Sequence, residues 1–195
     1  MKEVFHVGNK NELHPALKTF INGIEQVVEQ GETEEVTTEK VAALMGKFLQ
    51  EPAAIPENMK KPNSEKYTLY PLYIDEENRF SIASAVWDVG QSTPIHDHQT
   101  WGVIGIVQGK EDEVHYTIPT NGNPPELLER RVLQAGDVAV CCTSDQDIHQ
   151  VSCASTIPCV GIHVYGANIG EIPRYMYDAA TGEKKQVVTS WDPVS

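Results

Sequence analysis

The spacing of apolar residues differs between the first third of the chain and the rest. From Pro15 to Gln30, apolar side chains recur at intervals of three and four residues, which is the period of an amphipathic helix. Gly31 is a residue type that commonly ends a helix. A second helix is predicted to follow, capped at its start by Thr37 or Thr38. Its apolar stripe comprises Val41, Leu44, Met45, Phe48 and Leu49.

From Tyr67 onward, short segments rich in β-branched and aromatic residues alternate with turn residues. Because no helical pattern separates these segments, they favour an antiparallel sandwich or barrel. Strands are predicted near Tyr67–Tyr73, Phe80–Trp87, Ile95–Thr100, Val103–Gln108, Glu111–Ile118, Leu127–Leu133, Asp137–Cys142, His149–Ala154, Val160–Tyr165 and Met176–Asp178.

These patterns predict a single domain over residues 1–195. In this interpretation a helical segment, residues 1–62, covers one end of a β domain formed by residues 63–195. The pair Lys184-Lys185 is assigned to a tail segment, and Trp191 is predicted to anchor the terminus against the β domain.

Composition narrows the function classes. The 195 residues are 40% hydrophobic, which predicts a packed globule. A net charge of −13 argues against nucleic acid or an anionic membrane as partner. With no membrane-length apolar run and no signal-like start, a cytoplasmic protein is expected. The cysteines lack C-x-x-C spacing and are interpreted as small, reduced core residues: Cys141, Cys142, Cys153 and Cys159.

Histidines form the most informative chemical pattern. His96 and His98 are two residues apart in a predicted strand, so their side chains should point to the same side, with Cβ atoms roughly 6–7 Å apart. His149 starts another predicted strand some fifty residues later. Three neutral imidazoles can bind a divalent first-row metal and leave other coordination positions free. His115 is the alternative third ligand.

The surroundings of these histidines resemble the cupin superfamily. Gly90, His96-x-His98 and Gly109 are similar to its first motif, and Gly136 with His149 is similar to its second. The cupin pattern places a glutamate shortly after the second histidine, and this chain has Gly102 there. The resemblance therefore implies an all-β cupin fold, a jelly-roll-like antiparallel β-barrel with an N-terminal helical cap, whose metal site lacks an acidic ligand.

Two longer motifs resemble a narrower family. Pro94-Ile95-His96-Asp97-His98-x-x-Trp101-Gly102 and Gly161-Ile162-His163-Val164-Tyr165-Gly166 are similar to the cysteine dioxygenase family of non-haem iron thiol dioxygenases. The resemblance covers roughly residues 67–177. It implies Fe(II) held by His96, His98 and His149. It also implies that both atoms of O2 are added to a small thiol to give a sulfinic acid, with Tyr165 and His163 as the catalytic pair. A site without a carboxylate ligand retains the metal charge that favours a thiolate.

Two departures from the animal cysteine dioxygenases bear on the substrate. Those enzymes cross-link a cysteine to the catalytic tyrosine, but the segment Trp101-Gly102-Val103 has no cysteine, so Tyr165 is expected to be unmodified. Their carboxylate-binding arginine on an early strand corresponds to Tyr70 by counting back from His96. Arg174 instead corresponds to the arginine of bacterial 3-mercaptopropionate dioxygenases. The resemblance therefore implies a small thiol carboxylate as substrate, 3-mercaptopropionate or cysteine, bound by Arg174.

That bacterial branch typically has a Ser-His-Tyr relay, and its serine position corresponds to Gly161 here. Two other functions are weighed. A non-catalytic cupin that binds a metal or small ligand as a sensor is disfavoured by the polar residues His163, Tyr165 and Arg174. Another metallo-cupin enzyme, such as a zinc or manganese isomerase, is disfavoured by the missing carboxylate ligand. The oligomeric state stays open, as does whether the pocket includes Tyr70, Tyr73, Arg79 or Trp101.

Overall fold

A computed structural model describes residues 10–119, 123–143 and 147–194. Two α-helices lie at the N-terminal side, α1 (Pro15–Glu29) and α2 (Glu34–Phe48). The strands that follow within these ranges are β1 (Thr68–Ile74), β2 (Ser81–Trp87), β3 (Ile95–His96), β4 (Gly102–Gln108), β5 (Lys110–Thr117), β6 (Glu126–Gln134), β7 (Val138–Cys141), β8 (His149–Cys153), β9 (Cys159–Tyr165), β10 (Arg174–Tyr177) and β11 (Lys184–Val187).

The strands form two antiparallel sheets of a cupin barrel. One sheet has the order β1-β2-β9-β4-β7, and the other has the order β11-β10-β3-β8-β5-β6. Side chains from both sheets meet in one buried cluster, with Ala85 and Trp87 from the first and Val151 and Cys153 from the second. The barrel interior is therefore a packed core, and the predicted mostly-β cupin architecture is confirmed.

The helices pack on the outer face of the five-stranded sheet. Ile24 of α1 and Met45 of α2 belong to the same buried cluster as Ile82, Ile162 and Val164. Because alternate residues of a strand point to opposite faces, both faces of β9 are covered and all of its residues are buried. The helical cap is confirmed, but it lies over a sheet face. The expectation that it covers one end of the β domain is wrong.

The start of α2 differs from the prediction. Thr33 is the N-cap residue, and its hydroxyl accepts a hydrogen bond from the backbone N–H of Val36 at 3.4 Å. Thr37 and Thr38 are buried inside the helix, so the proposed caps are wrong. These threonines belong to the helix face that packs inward. A search for an apolar stripe misses them because threonine is polar.

Two strand predictions also need correction. The strand predicted over Ile95–Thr100 ends at His96, and Gln99 has a left-handed φ of 57° that regular strand pairing does not allow. Lys184-Lys185, assigned to a tail, belong to strand β11 (Lys184–Val187), which pairs with β10. Its residues are mostly exposed, so it lacks the apolar alternation by which strands are recognised.

Two predictions about individual side chains are confirmed. Trp191 is buried, and its indole N–H donates to Oδ1 of Asn168 at 3.0 Å, which holds the C-terminal segment against the barrel. The four cysteines are buried and outside disulfides. None of the helices in the described ranges could span a membrane.

Candidate metal centre and substrate cavity

Three histidines converge inside the barrel. His96 on β3 pairs directly with His149 on β8, and His98 follows two residues after His96. Their ring centroids are 4.8–5.0 Å apart in all three pairs. One nitrogen from each ring lies within 4.8 Å of the others. The structure therefore brings together the three residues predicted as ligands.

The outer nitrogen of each ring already has a partner. Nδ1 of His96 lies 3.0 Å from the carbonyl oxygen of Pro94. Nδ1 of His98 contacts the carboxylate of Asp147, and Nδ1 of His149 lies 2.6 Å from Oε1 of Glu113. The Nε2 atoms therefore remain as metal donors.

One observation shows directly that these three rings suit a metal ion. Nε2 of His149 is fully buried and has no hydrogen-bond partner among the described residues. A buried nitrogen without a partner is costly, and coordination would satisfy it. All three donors are imidazole nitrogens, a set that suits divalent iron, zinc, copper or nickel.

Two carboxylates support the ligands from behind, and sequence reasoning missed both. Burial raises the pKa of Glu113, but hydrogen bonds from His115, His149 and Arg131 outweigh this, so its pKa is lowered and it is ionised. Burial likewise opposes ionisation of Asp147, yet the charge and hydrogen bond of His98 lower its pKa. Carboxylates behind histidine ligands fix the ring orientation and raise ligand basicity. The candidate metal site thus has carboxylates that hydrogen-bond to its histidines, although the three metal-binding residues themselves are all histidines.

The environment also favours uncharged rings at two ligands. Burial, together with the neighbouring rings, lowers the pKa of His96 well below its ordinary value. Burial lowers the pKa of His98 despite the opposing charge of Asp147. At His149, burial is outweighed by Glu113 and the pKa is raised. A bound metal ion would require His149 to be neutral, because only a neutral ring can coordinate.

His115 lies outside this triad. Its ring centroid is 5.5 Å from that of His149, and its Nε2 is 3.3 Å from Oε1 of Glu113. It therefore approaches the carboxylate behind His149, on the side away from His96 and His98.

A cavity opens beside the three histidines. Its volume is about 30 Å³, so only a small ligand fits beside the histidines. The lining residues are Tyr67, Leu69, Ala85, Trp87, Thr93, His96, His98, His149, Val151, His163, Tyr165 and Arg174.

Arg174, the first residue of β10, places a buried cation in this cavity. It is 4% exposed, and its guanidinium makes no hydrogen bond or ion pair to another residue in the described ranges. Its charge reaches the metal site, since it lowers the pKa of His96 and His98 after the larger effect of burial. A buried guanidinium needs an anionic partner, and a substrate carboxylate can provide it.

Tyr165 and His163 face the same cavity from β9. Nδ1 of His163 and the hydroxyl of Tyr165 are 2.9 Å apart, and the Tyr165 ring lies 5.2 Å from that of His98. Burial, followed by the charges of His98 and His149, lowers the pKa of His163 to about 3. Burial raises the pKa of Tyr165. Both groups are therefore neutral at pH 7, and the phenol is a hydrogen-bond donor.

Gly102 stands where the cupin pattern has its glutamate, and the packing explains the exchange. A Cβ at this position would lie 2.8 Å from Sγ of Cys141 and 3.5 Å from Cδ1 of Tyr165. A larger residue at this position would require the Cys141 thiol to move, so glycine fits the close packing here.

Four residues that the sequence analysis left open, Tyr70, Tyr73, Arg79 and Trp101, do not line the cavity. Tyr70 faces outward and its hydroxyl donates to the carbonyl oxygen of Lys61 at 3.1 Å. On this side of the barrel, Tyr67 and Leu69 reach the cavity instead. The remaining three also point elsewhere: the Tyr73 hydroxyl bonds Glu25, Arg79 pairs with Asp75, and Trp101 packs against Gly166.

Comparison with solved structures finds several matches at low sequence identity. A Thermus thermophilus protein is 20% identical with a TM-score of 0.45, over 57% of this chain and 92% of that one. A Klebsiella pneumoniae protein with a double-stranded β-helix domain is 14% identical with a TM-score of 0.46, over 68% and 96%. The oxalate decarboxylase of Lactobacillus farciminis is 21% identical with a TM-score of 0.44, over 57% and 32%.

A family comparison is more specific. The sequence profile of cysteine dioxygenase type I matches residues 11–178, which includes both helices, the three histidines, His163, Tyr165 and Arg174. The chain belongs to the cysteine dioxygenase family, whose members are thiol dioxygenases with a non-haem iron.

Proposed function

We propose that this protein is an Fe(II)-dependent dioxygenase that converts a small thiol carboxylate into the corresponding sulfinic acid. One observation supports this most directly: the histidine triad and the buried cation Arg174 line the same cavity. A metal at the triad and a carboxylate at Arg174 would fix a short substrate at both ends.

Each part of this site has a distinct role in the proposal. His96, His98 and His149 hold the ferrous ion, which supplies the redox chemistry that joins sulfur to O2. Arg174 binds the substrate carboxylate, because a guanidinium can donate two parallel hydrogen bonds to a carboxylate. Binding at two points aligns the sulfur with the reacting oxygen, which replaces a chance encounter by a fixed position.

Tyr165 orients the reactants in the same cavity. Its phenol is neutral and lies beside His98, so it can donate a hydrogen bond to sulfur or oxygen in the cavity. His163, 2.9 Å from the phenol oxygen, holds the Tyr165 side chain in place. The surrounding apolar side chains exclude water from the reacting groups.

The lining favours 3-mercaptopropionate over cysteine as substrate. Cysteine carries an ammonium group in addition to its carboxylate, and no acidic side chain is among the described residues that line the cavity. An ammonium group would therefore lose water without gaining an ionic partner. Cysteine remains the second candidate because it shares the thiol and the carboxylate.

The test is anaerobic iron loading followed by oxygen uptake with a matched panel of thiols. 3-Mercaptopropionate, cysteine and cysteamine differ in which charged group accompanies the thiol. We expect the fastest uptake with 3-mercaptopropionate, slower uptake with cysteine and little with cysteamine, with sulfinate identified by mass spectrometry. Tight metal binding without oxygen uptake on any thiol would instead support the non-catalytic sensor.

A further inference from the structure

A further buried carboxyl, Glu111, lies on β5 away from the metal ligands. Along the β5–β8 pairing, His115 is opposite His149, whereas Glu111 is opposite Cys153. Glu111 is only 2% exposed, and its Oε1 has no hydrogen-bond partner among the described residues. A buried polar atom of this kind requires an explanation.

Glu111 lies close to His163 of the His163–Tyr165 pair. Gly161, His163 and Tyr165 alternate along β9, so they share one face of the strand. A Cβ at Gly161 would lie 2.9 Å from Oε1 of Glu111 and 2.9 Å from Nε2 of His163. The two atoms are therefore separated by at most twice that distance, which a rotation of the Glu111 side chain or one bridging water closes.

Like Oε1 of Glu111, Nε2 of His163 lacks a hydrogen-bond partner in the described part of the chain. It too is buried, while Nδ1 of the same ring contacts the Tyr165 hydroxyl. Glycine at position 161 is what leaves the space between Glu111 and His163 open. The result is a line of polar groups from Glu111 through His163 to Tyr165 and the metal site.

We propose that Glu111 is a positioning residue that selects the tautomer of His163 and thereby the direction in which Tyr165 donates its hydrogen bond. The Glu111 carboxyl donates to Nε2, so the ring proton resides on Nδ1. That N–H donates to the Tyr165 oxygen, which leaves the Tyr165 O–H directed into the cavity. The inference rests on the proposed dioxygenase function, because it assigns Tyr165 a donor role there.

The ionisation states agree with this arrangement. Burial, followed by the charges of Glu113 and Cys153, raises the pKa of Glu111 to about 8, so at pH 7 it is a protonated donor. His163 has a pKa lowered to about 3 by burial, so its neutral ring carries a single proton. A donor at Nε2 leaves only Nδ1 for that proton.

Above about pH 8, this arrangement reverses. An ionised Glu111 only accepts hydrogen bonds, so the ring proton moves to Nε2 and Nδ1 becomes an acceptor for the Tyr165 hydroxyl. The phenol hydrogen then points away from the cavity, and turnover should fall. The titratable and charged groups around Glu111 are Glu113 on β5, Cys153 on β8, Cys159 and His163 on β9, and Arg131 on β6, which pairs with Glu113.

The test compares two substitutions that differ only in hydrogen bonding. Glu111→Gln keeps an N–H donor for Nε2 but cannot ionise, so kcat should stay within about twofold of wild type and the fall above about pH 8 should disappear. Glu111→Leu has similar size and no donor, so kcat should fall roughly tenfold or more with little change in KM. Asp112→Asn is the control. Asp112 is next to Glu111 in sequence but lies on the opposite face of β5, so this variant should behave as wild type.

The tautomer of His163 can be detected directly by NMR, without measuring catalytic activity. Long-range nitrogen–proton NMR correlations on the full chain, loaded with diamagnetic zinc, should show the His163 proton on Nδ1 in wild type and Glu111→Gln, and a mixture in Glu111→Leu. The same tautomer in all three proteins would overturn the inference, as would an unchanged alkaline fall in Glu111→Gln. If no thiol supports oxygen uptake, the proposed function fails while the NMR result still decides the role of Glu111.

Discussion

Glu113→Gln should weaken metal binding without removing a metal ligand. The Glu113 carboxylate accepts from Nδ1 of His149 at 2.6 Å inside the protein. A hydrogen bond to a charged partner contributes about 1.5–3 kcal/mol and a neutral one about 0.5–1.5 kcal/mol. Because glutamine keeps the acceptor but loses the charge, the difference is about 1–1.5 kcal/mol. This corresponds to roughly tenfold weaker binding, at the low end of the effect of outer-layer substitutions.

The assay is anaerobic competition for ferrous ion between the metal-free protein and a chromophoric chelator. Glu113 also contacts His115 and Arg131. Arg131 is 33% exposed, so it stays hydrated after the substitution and should add little to the loss. Asp112→Asn is the matched control, since Asp112 is the preceding residue and pairs with Arg130 outside the barrel. Glu113→Gln binding as tightly as wild type, or both variants losing affinity equally, would refute the reasoning.

Three further outcomes are expected. Arg174→Gln should lower kcat/KM for 3-mercaptopropionate by about 100-fold or more, because two charge-assisted bonds of about 1.5–3 kcal/mol each are weakened; an unchanged value at normal iron content would exclude the assigned role. Tyr165→Phe should slow oxygen uptake by about tenfold or more with iron content unchanged, which metal analysis and single-turnover kinetics can check. Asp75→Asn should destabilise the protein at pH 7, because hydrogen bonds and the charge of Arg79 lower the pKa of Asp75. That stability is present above pH about 4 and is lost as pH falls below it, so urea melts of variant and wild type should converge in acid and stay apart at neutral pH.

The strand and helix patterns could be derived from the sequence because each depends on local periodicity. Residues Ser81–Trp87 and Cys159–Tyr165 are rich in apolar residues and bounded by turn residues, and both are strands. The spacing of His96 and His98 suggested that they converge, and their rings do lie 5.0 Å apart, although the strand that carries them ends at His96. By contrast, β11 and the N-cap residue Thr33 are hard to recognise in the sequence. An exposed strand lacks alternating apolar residues, and a cap is a single residue with no periodicity.

The outer layer of the site could not be derived in this way. Glu113 and His149 are 36 positions apart in the chain, and nothing local to either residue indicates the contact. Counting back from His96 aligned Tyr70 with the substrate arginine of the animal enzymes but left open whether Tyr70 lines the cavity. In the structure the Tyr70 hydroxyl bonds Lys61, while Leu69 reaches the lining. A shift of one residue along a strand reverses the face on which a side chain lies.

The sequence by itself determined the cupin architecture, the three histidines and the polar pair of His163 and Tyr165, because these depend on spacing within single strands and on motifs of a few residues. Only the tertiary structure decided which carboxylates stand behind the ligands, that Arg174 is buried in the same cavity, and that Glu111 approaches His163 across Gly161. Those relations are distances between strands remote in sequence. They are set by sheet pairing and by the volume that each side chain leaves free.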